Sequence, residues 1–296
     1  MGFSANGIYT AIVTPFDRAG EIDEATFRKL VDFQVSAGVA GLLVAGGSGE
    51  YVSLTVAERK RLVDIALDQA AGRISIVVGA LSPSTAEVQE MARHAQASGA
   101  AAVLVLPPYY IKPSAAGIFE HFARIADASS TLILAYNNPG RTGLTLDVPT
   151  LQKLMEIPSI VALKECERDL AIISAKIATV GDRIAIMSGD DDLGFPTFLL
   201  GSPGGIFMSS NLIPAFHCKL LDAAKAGNLE VGRKAHYALL PLVEALYTLN
   251  HPGPLRDAMA FIGRPVGPAR SPLQGGTPQA LEKAKSALDT ITSMTF

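Results

Sequence analysis

The chain of 296 residues is short of cysteine. Its two, Cys166 and Cys218, lie far apart and form no C-x-x-C pair. That argues against a disulfide framework or a zinc knuckle and suits a reducing cytoplasm. A block of like charge is also missing. The net charge is -3 and no Lys/Arg run stands out, so neither nucleic acid nor an anionic membrane is an expected partner. No apolar run approaches the roughly 20 residues that a membrane helix needs. Residues 1–10 have no basic stretch leading into an apolar one, so no signal peptide is expected. There is no low-complexity segment. What the chain has in quantity is apolar side chains, 49% of the total, enough to build a large core. Its length suits one barrel with a short appendage.

Short apolar runs recur at 8–14, 41–45, 74–79, 102–106, 132–136, 160–164, 184–188 and 205–209. They are nearly continuous in hydrophobicity and bounded by Gly, Pro or polar residues, as strands buried on both faces are. Between them lie amphipathic stretches such as 24–37, 56–70, 85–98 and 115–128. Thr55 with Glu58, and Ser84 with Glu87, have the spacing of capping boxes. Right-handed crossovers make such strands parallel. Eight of them predict a (β/α)8 TIM barrel, with an open doubly wound sheet as the alternative. Beyond Leu212 the strand signal stops, and 215–226, 229–249, 254–261 and 278–290 read as helices. The expected division is a catalytic barrel over 1–225 and a C-terminal helical appendage over 226–296.

In such a barrel the chemistry sits at the C-terminal strand ends. The second strand ends in Gly46-Gly47-Ser48-Gly49-Glu50, the fourth in Pro107-Pro108-Tyr109-Tyr110 and the fifth in Tyr136-Asn137-Asn138-Pro139-Gly140-Arg141. The sixth ends in Lys164-Glu165 and the seventh in Ser188-Gly189-Asp190. Lys164 leaves an apolar strand, Ile160 to Leu163. Desolvation disfavours an ammonium, and a neutral amine is the nucleophile that turns a ketone into an imine. Taken alone, a lysine at a strand end is more often solvated. The glycine-rich run makes either a nest of N–H groups for a carboxylate or a plain turn. It fits neither a nucleophile elbow, since Glu50 stands where glycine is required, nor a phosphate loop. Tyr110 and Tyr136 are candidate proton relays or packing residues. Arg141 is a carboxylate fork or a surface charge. Asp190-Asp191-Asp192 is a cation site or, more commonly, a helix cap. The five histidines avoid the strand ends, where a metal-dependent aldolase would want them.

Together these stretches resemble the dihydrodipicolinate synthase / N-acetylneuraminate lyase family along the whole chain, from Gly7-Ile8-Tyr9-Thr10 to His251-Pro252-Gly253-Pro254-Leu255-Arg256. The resemblance implies that Lys164 is the Schiff-base lysine and Tyr136 the tyrosine that shuttles protons. It implies that Gly47 and Ser48 grip the pyruvate carboxylate and that the Ile206 carbonyl faces the bound keto acid. Tyr110 matches the tyrosine that reaches across a dimer interface, and Arg141 the arginine near the second substrate's carboxylate. It further implies a homodimer or homotetramer, a small 2-keto acid as substrate, and no metal or organic cofactor. Two positions depart from the family. Gly47 replaces a hydroxyl residue that links the two tyrosines, resembling the ketodeoxyglucarate dehydratase branch. Pro83 and Tyr51 replace polar residues of the lysine-inhibition site, so no feedback by lysine is expected. The expected activity is therefore a Schiff-base lyase of pyruvate. The alternatives are a dehydratase or deaminase of a 2-keto-3-deoxy sugar acid or a hydroxyproline-derived acid, and a non-enzymatic keto-acid-binding protein.

Overall fold

The computed structural model describes residues 2–295. Eight short strands, almost wholly buried, set the frame: β1 Gly7–Ala11, β2 Gly41–Val44, β3 Ser75–Gly79, β4 Ala102–Val105, β5 Leu132–Asn137, β6 Ile160–Glu165, β7 Ala185–Ser188 and β8 Gly204–Phe207. Each pairs in parallel with its sequence neighbours, and β1 also pairs with β8, so the sheet closes on itself. The protein is a TIM barrel, and closure removes the open-sheet alternative.

The intervening helices are α1 Glu24–Ser36, α2 Val56–Ala70, α3 Thr85–Ser98, α4 Ala115–Ala128, the single turn α5 Pro139–Thr142, α6 Val148–Leu154, α7 Leu170–Val180 and α8 Gly194–Leu199. After β8 come α9 Pro214–Lys225, α10 Leu229–Leu246, α11 Gly253–Ala258 and α12 Pro278–Thr292. The Thr55–Glu58 capping box is complete at the start of α2. At α3 only half of the expected box forms. Ser84 accepts from the Glu87 N–H, while the Glu87 carboxylate pairs with Arg59 instead. Beyond the barrel, α10 and α12 pack along each other. Each buries one stripe at helical spacing: Leu239, Leu242, Val243 and Leu246 on α10, and Ala284, Ala287, Leu288 and Ile291 on α12. Among the described residues no helix is long and apolar enough to cross a membrane.

Strand alternation decides which residues reach the site. Tyr9, Leu43, Leu104, Leu134, Ala162 and Ile206 fill the barrel interior. Two residues beyond Leu134 comes Tyr136, and two beyond Ala162 comes Lys164, so both continue the inward series. The β5–β6 register sets Tyr136 directly beside Lys164. Leu163 and Glu165 take the outward positions, toward the helices.

The first strand is shorter than its apolar run, 8–14. The Ile12 N–H still donates to the Leu43 carbonyl at 3.1 Å, and past it the chain turns to bonds that involve side chains. The Val13 N–H donates to Asn211 Oδ1 at 3.1 Å, and the Thr14 hydroxyl donates to the Gly49 carbonyl at 2.7 Å. The helix expected over 229–249 stops at Leu246, where Tyr247 turns out of helical geometry (ψ 72).

Candidate active site

The C-terminal strand ends open into a cavity of about 430 Å³. Lys164, Tyr136, Gly47, Ser48, Arg141 and Ile206 all line it, so six of the seven expected site residues come together. Tyr110 does not line it. It is 96% exposed and sits in the left-handed region at φ 72, a costly conformation for a bulky residue.

Lys164 is 6% exposed, with Nζ 4.6 Å from the centroid of the Tyr136 ring. Gly189 flanks it, and a Cβ there would clash with Cys166 Sγ and, at 2.8 Å, with the Glu165 carbonyl, and would crowd Lys164 Cε at 3.1 Å, so this strand end needs that glycine. The Tyr136 hydroxyl accepts from Asn138 Nδ2 at 2.9 Å and from the Cys166 thiol at 3.9 Å. Burial, reinforced by Cys166, pushes the phenol well above its ordinary range. Tyr136 therefore rests as the protonated phenol.

The outward neighbour of Lys164 anchors the strand end. Glu165 pairs with Lys176 of α7 at 2.7 Å, both side chains at most 1% exposed. Its second oxygen accepts from Asn137 Nδ2 at 2.6 Å and from the Glu167 N–H at 2.7 Å. Asn137 Oδ1 in turn accepts from the Leu146 N–H at 2.8 Å. This dry network ties β5, β6 and α7 together behind the lysine and the tyrosine. Desolvation raises the Glu165 carboxyl even against Lys176.

On the opposite wall lies the glycine-rich loop. Ser48 is buried, whereas Gly47 faces the cavity and a Cβ placed on it would meet nothing within 4 Å. Ala45 and Glu50 hold left-handed conformations, at φ 54 and 57. Such strain costs about 1–3 kcal/mol per residue and needs surroundings that over-determine it. For Glu50 those surroundings are evident. Its carboxylate accepts from Arg256 Nη1 at 2.8 Å and from the Arg270 N–H at 3.0 Å.

Asp190, marked in the sequence as a strand end and a cation-site or helix-cap candidate, lines the cavity too, while four lining residues were not marked as site candidates: Cys166, Tyr247, His251 and Arg270. The last three come from the segment after β8, which carries no strand-end signal. His251 stacks on Tyr247 with centroids 5.3 Å apart and planes 5° from parallel. Desolvation, with Arg141 and Lys164 adding to it, lowers its imidazole to about 3, so it is a neutral group in the site. The three consecutive aspartates part company. Asp191 is buried and accepts from the Ser209 N–H at 2.7 Å and the Tyr247 hydroxyl at 2.9 Å. Asp190 and Asp192 meet Arg168. Among the described residues no cluster of metal-ligating side chains exists.

The sequence model of the dihydrodipicolinate synthetase family matches residues 4–291. The chain belongs to this family. It is 38% identical over 290 residues to the 4-hydroxy-tetrahydrodipicolinate synthase of Methanopyrus kandleri, covering 97% of this chain and 95% of that one. It is similar in structure to the synthase of Methylacidiphilum fumariolicum SolV, with a TM-score of 0.93 and 34% identity, over 97% and 96% of the two chains. It also resembles the chloride-inhibited dihydrodipicolinate synthase of Acinetobacter baumannii complexed with pyruvate, with a TM-score of 0.94 and 30% identity over 98% and 100%. In this member of the dihydrodipicolinate synthetase family, a glycine at 47 leaves open space beside the catalytic candidates.

Proposed function

We propose that this protein is a lyase that forms a Schiff base with pyruvate through Lys164, as a dihydrodipicolinate synthase does, and adds the product to a small aldehyde. The observation that carries this reading is Lys164 itself, nearly buried, next to Tyr136, and facing a cavity with Ser48 on the other wall. The carboxylate of the keto acid docks on the N–H groups and the hydroxyl of Gly47 and Ser48. Lys164, as the neutral amine, attacks C2. Tyr136 supplies the proton with which the carbinolamine oxygen leaves as water. The iminium then withdraws electrons from C3, and the Tyr136 oxygen, which gave up its proton in the step before, takes the C3 proton to give the nucleophilic enamine. Arg141 lines the cavity and holds no ion pair among the described residues, so it is available to a second carboxylate. Every step uses side chains of this chain and calls for no metal or organic cofactor.

Residues 226–296 then act as the roof of a barrel formed by 1–225, since Tyr247, His251 and Arg270 line the site. The strained, exposed Tyr110 and its neighbour Ile111, 54% exposed, suit a surface covered by a second copy of the chain, which makes the working form a homo-oligomer. A dehydratase or deaminase with the same lysine chemistry is favoured by one observation, the open space at Gly47, which admits a longer keto acid.

Borohydride reduction in the presence of pyruvate, followed by peptide mass spectrometry, tests the reading. An adduct on Lys164 is expected, and none in Lys164→Ala. An adduct with a longer keto sugar acid but not with pyruvate would move the dehydratase to first place. No adduct with any keto acid would leave a binding protein.

A further inference from the structure

Asn138 lines the cavity just past the end of β5, and the steps above give it no part. Its amide is held at both ends. Oδ1 accepts from the Arg141 N–H at 3.2 Å, and Nδ2 donates to the Tyr136 hydroxyl at 2.9 Å. A backbone N–H can only donate, so the atom that meets it is the amide oxygen and the atom that meets the phenol is the NH2 group. The backbone fixes this amide in turn. Pro139 disfavours helical geometry at the residue before it, and Asn138 stands at φ -143 and ψ 80. Its carbonyl accepts from both the hydroxyl and the N–H of Thr142, each at 2.9 Å. The phenol oxygen has one other hydrogen-bond partner among the described residues, the Cys166 thiol at 3.9 Å. On the opposite wall Gly47 has no side chain to offer it.

We propose that Asn138 is a positioning residue that steadies the phenolate of Tyr136 while its proton is away. The inference deepens the Schiff-base reading above and rests on it. The NH2 group donates and does not accept, so the phenol cannot spend its own proton on Asn138 and keeps it for the substrate. When the carbinolamine loses water, its oxygen takes the phenolic proton and the C–O bond breaks. Water leaves, the iminium carries a positive charge and the phenolate a negative one. The phenolate then takes a proton from C3, and the C–H electron pair becomes the enamine double bond. The iminium is neutralised and the phenol restored, so no outside acid is required. Between the two steps the whole negative charge is centred on the oxygen that Nδ2 faces.

A hydrogen bond to an ionised acceptor is roughly twice as strong as one to a neutral acceptor. The Asn138 bond therefore tightens as charge develops on the phenol oxygen, which is differential stabilisation of the reacting state. The donor is already in place in the resting site, so it need not reorganise when the proton moves. Burial disfavours the phenolate, and the Asn138 bond works against that cost. A thiol is a weak donor, so of the two neighbours the amide is the stronger support. Through Oδ1 the same side chain caps α5, so the proton carrier and the Arg141 backbone share one fixed group.

The test uses the full chain and pyruvate alone. In deuterium oxide, proton NMR follows the exchange of the pyruvate methyl protons, which requires both imine and enamine. The rate at saturating pyruvate and the half-saturating concentration are read separately, with borohydride end-point trapping on Lys164 alongside. Two variants each lose the donor, and each controls for the other's side effect. Asn138→Asp keeps an oxygen for the Arg141 N–H but adds charge; Asn138→Leu adds no charge but loses the cap. Both are expected to slow saturated exchange at least about tenfold, somewhat less than the 10²–10³ that a full oxyanion donor is worth, because the Cys166 thiol remains. In Asn138→Leu the half-saturating pyruvate and the extent of trapping should stay at the parental values. Exchange at the parental rate in Asn138→Leu would make added charge the cause of any loss in the aspartate variant, and exchange at the parental rate in Asn138→Asp would make the cap the cause; either overturns the inference. So does a leucine variant whose loss lies in the half-saturating concentration and not in the rate. These results leave the Schiff base intact. A parent chain that neither traps nor exchanges pyruvate would overturn both.

Discussion

Arg256 offers the sharpest test of how the site is held. All five of its guanidinium N–H donors are used. They reach Glu50 Oε1 at 2.8 Å and the carbonyls of Thr14 at 2.6 Å, Val266 at 2.8 Å, Pro268 at 2.9 Å and Gly267 at 3.3 Å. Its side chain is 1% exposed and that of Glu50 0%. Arg256→Met keeps much of the apolar volume but leaves the buried Glu50 carboxylate with only the Arg270 N–H and strands the carbonyls of Thr14, Gly267 and Pro268, while that of Val266 keeps the Phe16 N–H. Removing one partner of a buried pair costs about 3–5 kcal/mol. For a chain of this length, at roughly 2 °C per kcal/mol, the midpoint should fall by about 6–10 °C. The chain has no tryptophan, so far-UV circular dichroism in urea is the suitable assay. The control is Arg256→Met/Glu50→Gln, which removes both charges. If the unpaired carboxylate is the main cost, the double variant is more stable than Arg256→Met by at least about 1 kcal/mol. A single variant within about 1 kcal/mol of the parent would refute the reasoning, and so would a double variant whose losses simply add.

Four further outcomes are expected. Lys176→Met should lower stability by a similar amount, about 3–5 kcal/mol in urea unfolding, because it strands Glu165 in the same way. Gly47→Thr should change stability by less than about 0.5 kcal/mol, since the new side chain enters open space, while the KM for any keto acid longer than pyruvate rises in steady-state kinetics. Glu58, held down to about 2 chiefly by Arg270 at 2.5 Å, contributes stability that is complete above its unfolded value near 4.5 and is lost as the pH falls toward 2; acid titrations of the thermal midpoint should show a smaller loss over that window in Glu58→Gln. Lysine at physiological concentration should leave activity unchanged, because Pro83 and Tyr51 replace the polar residues expected of an inhibition site.

The barrel was legible because each strand reads as an apolar run with a polar or glycine end, and that end is where the site lies. Lys164 and Tyr136 stood out as the polar residues that close such runs, and period-two alternation carries both inward. Strand limits were less legible. Val13 and Thr14 are as β-rich as the residues before them, but Asn211, distant in sequence, takes the Val13 N–H out of the ladder, and the Thr14 hydroxyl turns to the Gly49 carbonyl. The helix α7 reads LAIISAKIATV, and nothing local says that its one lysine is wholly buried rather than solvated. That depends on Glu165 waiting behind β6. Cys166 sits two residues beyond Lys164, yet its place beside the Tyr136 hydroxyl depends on how the ends of β5 and β6 meet. His251 and Tyr247 arrive by tertiary return of the chain, which periodicity does not encode. Tyr110, legible from its motif, stands exposed outside the cavity.

The bond between Glu50 and Arg256 spans 206 positions in the chain. During synthesis the loop at 46–50 emerges long before its clamp. A nascent chain that has completed all eight strands still lacks the guanidinium that justifies the left-handed backbone at Glu50. The Glu50 carboxylate of this loop therefore gains its ion-pair partner only once residue 256 has been made.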